Sequence, residues 1–232
     1  MNKSLLGASL FALALVAPVA HAHQAGDILV RAGAITVNPE ADSGKVKVDQ
    51  GPLAGTNLGG KATMSSDTQL GLNFAYMITD HVGIELLAAT PFEHDVKIKN
   101  TALGAANGKL GTLKHLPPTL SVVYYPLDHK SAFQPYVGAG INYTWIYDEH
   151  VGSRAEQAGF SNFKAENSWG WAAQIGADYM INDKWMINAQ ARYIDISTKA
   201  TVDNNALGQG TRAKVNVDVD PMVYMVGIGY KF

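Results

Sequence analysis

The chain closes on MVYMVGIGYKF, residues 222–232, and the parity of this stretch governs the reading of everything before it. Met222, Tyr224, Val226, Ile228, Tyr230 and Phe232 fall on one face of an extended strand, with Val223, Met225, Gly227, Gly229 and Lys231 on the other. A face that is apolar along its whole length and ends on an aromatic residue suits a second sheet or hydrocarbon. The opposite end of the chain separates these two environments. Lys3 is followed by an apolar run from Leu5 to Ala17, a break at Pro18 and the small-residue pattern Ala20-His21-Ala22. This is the layout of a secretory signal peptide cleaved near Ala22, which leaves a single domain over 23–232. No other window approaches the about 18 consecutive apolar residues that a helical span needs. Any membrane the exported domain spans is therefore crossed by strands.

Composition agrees. The chain holds 23 Gly, 10 Tyr and no Cys, and 16% of its residues are charged, against roughly 25% in soluble domains. With 18 basic and 20 acidic side chains it lacks the basic surface that nucleic-acid binding requires. The absence of cysteine removes disulfides and thiolate metal sites as sources of stability, and no cofactor motif takes their place.

Period-two alternation marks eight segments, roughly 27–37, 64–78, 82–92, 118–126, 134–147, 167–181, 184–198 and 214–232. The connections alternate in length: 79–81, 127–133 and 182–183 are short, while 38–63, 93–117, 148–166 and 199–213 are long. Aromatic residues gather at the two ends, with Tyr76, Tyr124, Tyr125, Trp185, Tyr230 and Phe232 near the turns, and Tyr143, Trp145, Tyr147, Trp169, Trp171 and Tyr193 near the loops. Short turns on one side, long loops on the other and two aromatic girdles define the expected fold class. It is all-β: an eight-stranded antiparallel transmembrane β-barrel with short periplasmic turns and four long extracellular loops.

Placing Phe232 toward lipid assigns an inward face to every strand. Toward the turns that face is polar and is expected to form a cross-linked plug around Arg31, Glu85, Asp178 and Arg192. Toward the loops it is apolar, through Ile35, Val37, Leu87, Pro91, Ile194, Ile196, Val215, Val217, Val219 and Val223. An apolar funnel above an ionic floor suggests a channel for small hydrophobic molecules that leave sideways into the bilayer. Pro91, which has no backbone N–H, is the candidate lateral gate.

Other motifs carry less. His81, His94, His115, His129 and His150 fall in turns or loops without ligand spacing and read as solvated, so no metal site is expected. Ser65-Ser66-Asp67 and Ser161 lack a nucleophile signature, and the glycines at 51–60 and 104–111 read as loop composition. A short helical turn is expected within 151–163. The alternation of Lys45, Lys47, Lys97 and Lys99 with Val46, Val48, Val96 and Ile98 suggests hairpins that rise above the membrane.

A set of segments carries a resemblance: Ala88-Ala89-Thr90-Pro91-Phe92, Leu116-Pro117-Pro118-Thr119, Phe133-Gln134-Pro135-Tyr136, Ser168-Trp169-Gly170, Asp195 to Ala200, and Val217 through Phe232. In this order and over essentially the whole of 23–232, the chain resembles the OmpW family of small outer-membrane proteins. The resemblance implies a narrow hydrophobic channel in the outer membrane, with a side opening at Thr90-Pro91-Phe92; without a nucleophile signature the chain is not expected to be an enzyme, a lipid-modifying barrel being the competing class. Its partners would be the bilayer with its lipopolysaccharide, and small hydrophobic solutes or small amino acids. Tyr230 and Phe232 are the expected contact for the outer-membrane barrel assembly machinery. An alternative is a structural or receptor barrel that binds bacteriocins or other partners through its loops.

Overall fold

A computed structural model describes residues 22–232 apart from 103, 105 and 106; the expected signal segment before Ala22 lies outside the described residues. The chain runs β1 (Ile28–Asn38), β2 (Asp42–Ser43), β3 (Val46–Gln50), β4 (Asn57–Met64), β5 (Asp67–Met77), β6 (Val82–Ala89), β7 (Phe92–Thr101), β8 (Gly108–Leu116) and β9 (Thr119–Tyr124). It continues through β10 (Phe133–Val151), a short α1 (Ser153–Gln157), β11 (Phe160–Ala165), β12 (Ser168–Met180), β13 (Trp185–Ile194), β14 (Ser197–Asn204), β15 (Arg212–Asp218) and β16 (Met222–Lys231).

Among the described residues, eight antiparallel strands close a barrel in the order β1, β5, β6, β9, β10, β12, β13, β16. Closure is made by β16 on β1, from Leu29 opposite Lys231 to Asn38 opposite Met222. The outward face alternates as the parity of 222–232 requires. Ile175, Val226, Ile228 and Phe232 are 58–71% exposed, while Val223 and Met225 between them are buried. Such a continuous apolar belt is stable only against hydrocarbon. The girdles form as ring contacts: Trp185, Tyr230 and Phe232 meet at 4.7–4.9 Å on the turn side, and Tyr143 with Trp169 and Trp145 with Tyr147 meet at 4.7–4.8 Å on the loop side. Tyr125, expected in the turn-side girdle, is instead fully buried inside the barrel.

The long connections are mostly strand. Above the loop-side girdle β10 continues upward and pairs with β8, and a second sheet follows in the order β8, β7, β4, β3, β15, β14, β11. Its last edge reaches β10 through side chains: Glu149 Oε1 accepts from Ala165 N at 3.2 Å and Asn167 Oδ1 from Ile146 N at 2.8 Å. The expected strands 184–198 and 214–232 are each split, into β13 with β14 and β15 with β16. Pro221 supplies the reason, having no N–H for a ladder. Asp220 beside it adopts a positive φ of 35° and caps the neighbouring break, accepting from Ile196 N at 3.2 Å. The breaks preserve parity, so Val215, Val217, Val219 and Val223 all stay inside.

The interior has three levels. A small apolar cluster of Leu29, Met77, Val123, Met180 and Met186 closes the turn end, polar side chains fill the middle, and a large apolar cluster runs up through the outer sheet. The barrel is narrow enough that Gly33 and Gly227 face each other across the closing ladder. A Cβ on Gly33 would stand 2.2 Å from the Val226 carbonyl oxygen, and one on Gly227 2.2 Å from that of Ala32. We expect Gly33→Val to displace β1 from β16 and to destabilise the barrel by about 1–3 kcal/mol or more. Denaturant unfolding in lipid vesicles measures this; an unchanged midpoint would contradict the close approach.

Candidate functional site

The middle layer is built by inward residues from strands far apart in sequence. Arg31 on β1 donates through Nε and Nη2 to the two oxygens of Asp178 on β12, at 2.9 and 2.6 Å. Its Nη1 donates to Asn73 Oδ1 at 2.9 Å and to Glu85 Oε2 at 3.3 Å, and its Nη2 also reaches the Tyr125 hydroxyl at 2.8 Å. Glu85 Oε1 accepts from Arg192 Nη2 at 2.6 Å and from Gln174 Nε2 at 2.8 Å. Asn188 Nδ2 and His23 Nε2 contact Asp178 at 2.8 and 2.9 Å. Arg31, Glu85 and Asp178 are wholly buried and Arg192 is nearly so. Two guanidinium and two carboxylate groups give this layer no net charge, and each carboxylate is shared by several donors, as buried ions require. All four charged residues expected in the lumen are thus joined in one network. His23, Tyr125 and Tyr136 also belong to it; Tyr125 and Tyr136 lie on the inward parity of their strands but were not among the expected lumen residues, and His23 precedes the first alternating segment.

Above this layer Ile35, Val37, Leu87, Ile194, Ile196, Val215, Val217, Val219 and Val223 are all buried in one apolar cluster, as expected. The residues that shape its free space come largely from the outer sheet. Three narrow cavities of about 50, 30 and 30 Å³ follow one another inward. Ile98, Leu110 and Phe163 line both the first and second, and Met64, Leu113 and Thr198 both the second and third. The innermost cavity is bounded by Val37, Ile146, Ile196, Val219, His94 and His115 among others.

His94 and His115 require a correction: they are buried, not solvated. They stack at 4.8 Å with Nε2 to Nε2 at 2.7 Å, and Phe92 stacks on His115 at 5.4 Å. Parity held the signal, since His94 lies on the face of Val96 and Ile98, and His115 on that of Leu113. His115 lies opposite Ile146, between Trp145 and Tyr147 of the outer girdle, so the pair sits at the upper rim of the barrel, on strands of the outer sheet and not on a membrane-spanning strand. Burial lowers both rings below the ordinary histidine range, and that of His115 falls to about 3, with the neighbouring His94 adding to the effect.

Pro91 is corrected as well. It is exposed on the outside of the barrel and does not line the lumen; Phe92 is the buried residue. The chain slips one residue in parity at Thr90–Pro91, because the ladder is interrupted there. Pairing between β6 and β9 ends at Leu87 opposite Thr119 and resumes, between β7 and β8, at Phe92 opposite His115. Residues 88–91 therefore face 116–118 across a seam that carries Pro91, Pro117 and Pro118, three residues unable to donate. Thr90 turns its N–H to the Leu70 carbonyl on β5 at 3.0 Å, and the Pro117 carbonyl is taken by Asn142 Nδ2 at 3.1 Å. One group on each side of the seam is thus paired elsewhere, and the seam adjoins Phe92 and His115.

A closed eight-stranded sheet with a lipid-facing apolar belt and an enclosed, layered interior defines a small outer-membrane β-barrel. The chain belongs to the OmpW family, whose model matches residues 24–232. It is 43% identical to outer membrane protein W of Vibrio cholerae over 232 residues, covering all of both chains. It is 43% identical to outer membrane protein W of Escherichia coli over 230 residues, 99% of this chain and all of that one. The crystal structure of OprG from Pseudomonas aeruginosa superposes with a TM-score of 0.84 at 47% identity, over 92% of this chain and 99% of that one. The protein is accordingly placed in the outer membrane.

Two outcomes follow. Arg31→Ala leaves Asp178 without its bidentate partner and should cost about 3–5 kcal/mol of stability, read as a lowered denaturation midpoint in vesicles. Arg31→Ala combined with Asp178→Asn should cost less than the sum of the two single changes. The second outcome concerns acid. With His115 depressed to about 3, the unfolded chain takes up a proton that the folded chain refuses between about pH 3 and the ordinary value of 6.5. Stability of the outer sheet is therefore full above that window and falls as pH drops through it, by about 2 kcal/mol at pH 5 for this one group. Amide exchange at β7 and β8, corrected for its intrinsic pH dependence, should accelerate from pH 7 to pH 5 in the native protein and not in the variant carrying both His94→Phe and His115→Phe.

Proposed function

We propose that this barrel carries small, mainly hydrophobic molecules across the outer face of the membrane and releases them sideways. The observation that carries the reading is the union of three features: an apolar column, a neutral ionic layer beneath it, and a seam in the wall at their junction. A solute entering from outside meets mainly apolar walls from Phe163 and Leu110 down to Ile196 and Val219. It gains about 25 cal/mol for each Å² it removes from water. The column is narrow, so passage displaces side chains; Met64, unbranched and soft, stands where the second and third cavities meet.

Descent past Arg31, Glu85, Asp178 and Arg192 would require breaking several charge-assisted hydrogen bonds in a dry interior, which an apolar solute cannot replace. The seam between 88–91 and 116–118 costs much less, because no ladder hydrogen bond has to open. Small amino acids are the less suited cargo: the two inner cavities present no charged side chain to either end of a zwitterion. Replacing Pro91 by Ala restores a backbone donor at the seam. We expect it to slow uptake of an apolar fluorescent solute into proteoliposomes several-fold, and an unchanged rate would count against the lateral route. A cysteine pair at Ala88 and Pro117, clean in a chain without native Cys, should block uptake when cross-linked and restore it when reduced.

A further inference from the structure

The innermost cavity has a polar character that its apolar walls conceal. His94 Nδ1 lies 2.5 Å from the Ser65 carbonyl oxygen, which can only accept, so this nitrogen carries a proton. In a neutral ring His94 Nε2 is then a bare lone pair. The 2.7 Å contact between the two Nε2 atoms needs one hydrogen, and His115 Nε2 supplies it. A neutral His115 is left with an unprotonated Nδ1. That atom is buried, has no hydrogen-bond partner, and belongs to a residue that lines the cavity.

The remaining polar groups on the lining point to the same preference. Thr144 donates its hydroxyl hydrogen to Asn142 Oδ1 at 2.7 Å and Thr198 donates to the Glu166 carbonyl at 2.6 Å. Both hydroxyls can therefore only accept from an occupant. A cavity whose polar atoms are all acceptors rewards a ligand that brings a hydrogen and penalises one that brings only a lone pair.

We infer that this cavity is a recognition site for apolar molecules bearing one neutral hydrogen-bond donor, such as alcohols and phenols, which bind through His115 Nδ1. The inference rests on the uptake reading and specifies its cargo. Hydrocarbons fit the walls and leave the nitrogen unpaired. Ketones, ethers and esters set an acceptor against an acceptor. Carboxylates and ammonium ions meet no opposing charge, because no charged side chain lines the cavity. The position also matters: Phe92, the first ladder residue above the seam, stacks on His115, so a donor-bearing molecule is held where the column meets its exit.

The test uses three matched aromatic probes, 1-naphthol, 1-methylnaphthalene and 1-methoxynaphthalene, bound to the full-length protein in nanodiscs with empty nanodiscs subtracted. The comparison variant carries both His94→Phe and His115→Phe. Replacing both rings keeps the stack with Phe92 and avoids exposing His94 Nε2 as a substitute acceptor. We expect the ratio of naphthol to methylnaphthalene affinity to be roughly 3- to 10-fold higher in the native protein than in the double variant, the size of one neutral hydrogen bond. Methoxynaphthalene should behave as the hydrocarbon does. Equal ratios in the two proteins, or an equal gain for the methoxy probe, overturn the recognition site while leaving uptake intact. Failure of all three probes to bind the native protein saturably overturns the uptake reading and this inference together. Should the double variant not fold, the native protein decides by itself. The ¹⁵N resonance of His115 Nδ1 should move with naphthol and stay still with methylnaphthalene; an unmoved resonance with naphthol refutes the assignment.

Discussion

The pairing of β16 with β1 is the interaction on which the rest of the molecule depends. In hydrocarbon no water is at hand to satisfy a backbone N–H or C=O, so a sheet survives there only if its last edge meets its first. Ten consecutive residue pairs, from Leu29 with Lys231 to Asn38 with Met222, make that join. Once it is made, each side chain is committed to lipid or to an enclosed space. The glycines at 33 and 227 are the cost of a small circumference: the backbones approach so closely at that point that any Cβ would meet a carbonyl oxygen.

Closure creates an interior too narrow for bulk water, and the two halves of that interior solve the resulting problem differently. Near the turns, charge is present but balanced, with each carboxylate held by several donors from strands on opposite sides of the barrel. The network acts as cross-bracing, tying β1, β5, β6, β12 and β13 together through side chains as well as ladders. Near the loops, the two inner cavities carry no carboxylate, lysine or arginine, and the walls are mainly apolar through the height of the outer sheet. A molecule that dissolves in the upper half is excluded from the lower one by the same physical chemistry that makes each half stable.

The outer strands are more than a surface decoration. They extend the apolar column above the bilayer, where the lipid itself cannot shield it from water. They also carry the two buried histidines to the level of the ladder gap. The seam carries three prolines, and two of its backbone groups find partners beside it: Thr90 N–H bonds to β5 and the Pro117 carbonyl to Asn142. The gap in the ladder is thus accommodated by pairing these groups sideways, and the pairing resumes beyond it with its register shifted by one residue.

The division between lipid and interior was legible in the residues alone, because side-chain alternation is a local property that survives wherever the strands run unbroken. It located the belt, the girdles, the four lumen charges and nine of the ten apolar positions. It failed at Pro91, where one extra residue in the wall reverses the faces; Tyr125 was assigned to the girdle by its aromatic character, although its parity with Val123 pointed inward. It also undervalued His94 and His115, whose parity pointed inward while their place in a long connection, His94 between Glu93 and Asp95 and His115 after Lys114, suggested solvent. Which inward residues touch was beyond its reach. Arg31 finds Asp178 across 147 positions of sequence and His94 finds His115 across 21, and both contacts depend on a register that each closing strand passes to the next. Alternation is written into neighbouring residues, whereas contact between distant ones exists only after the sheet has joined its own edge.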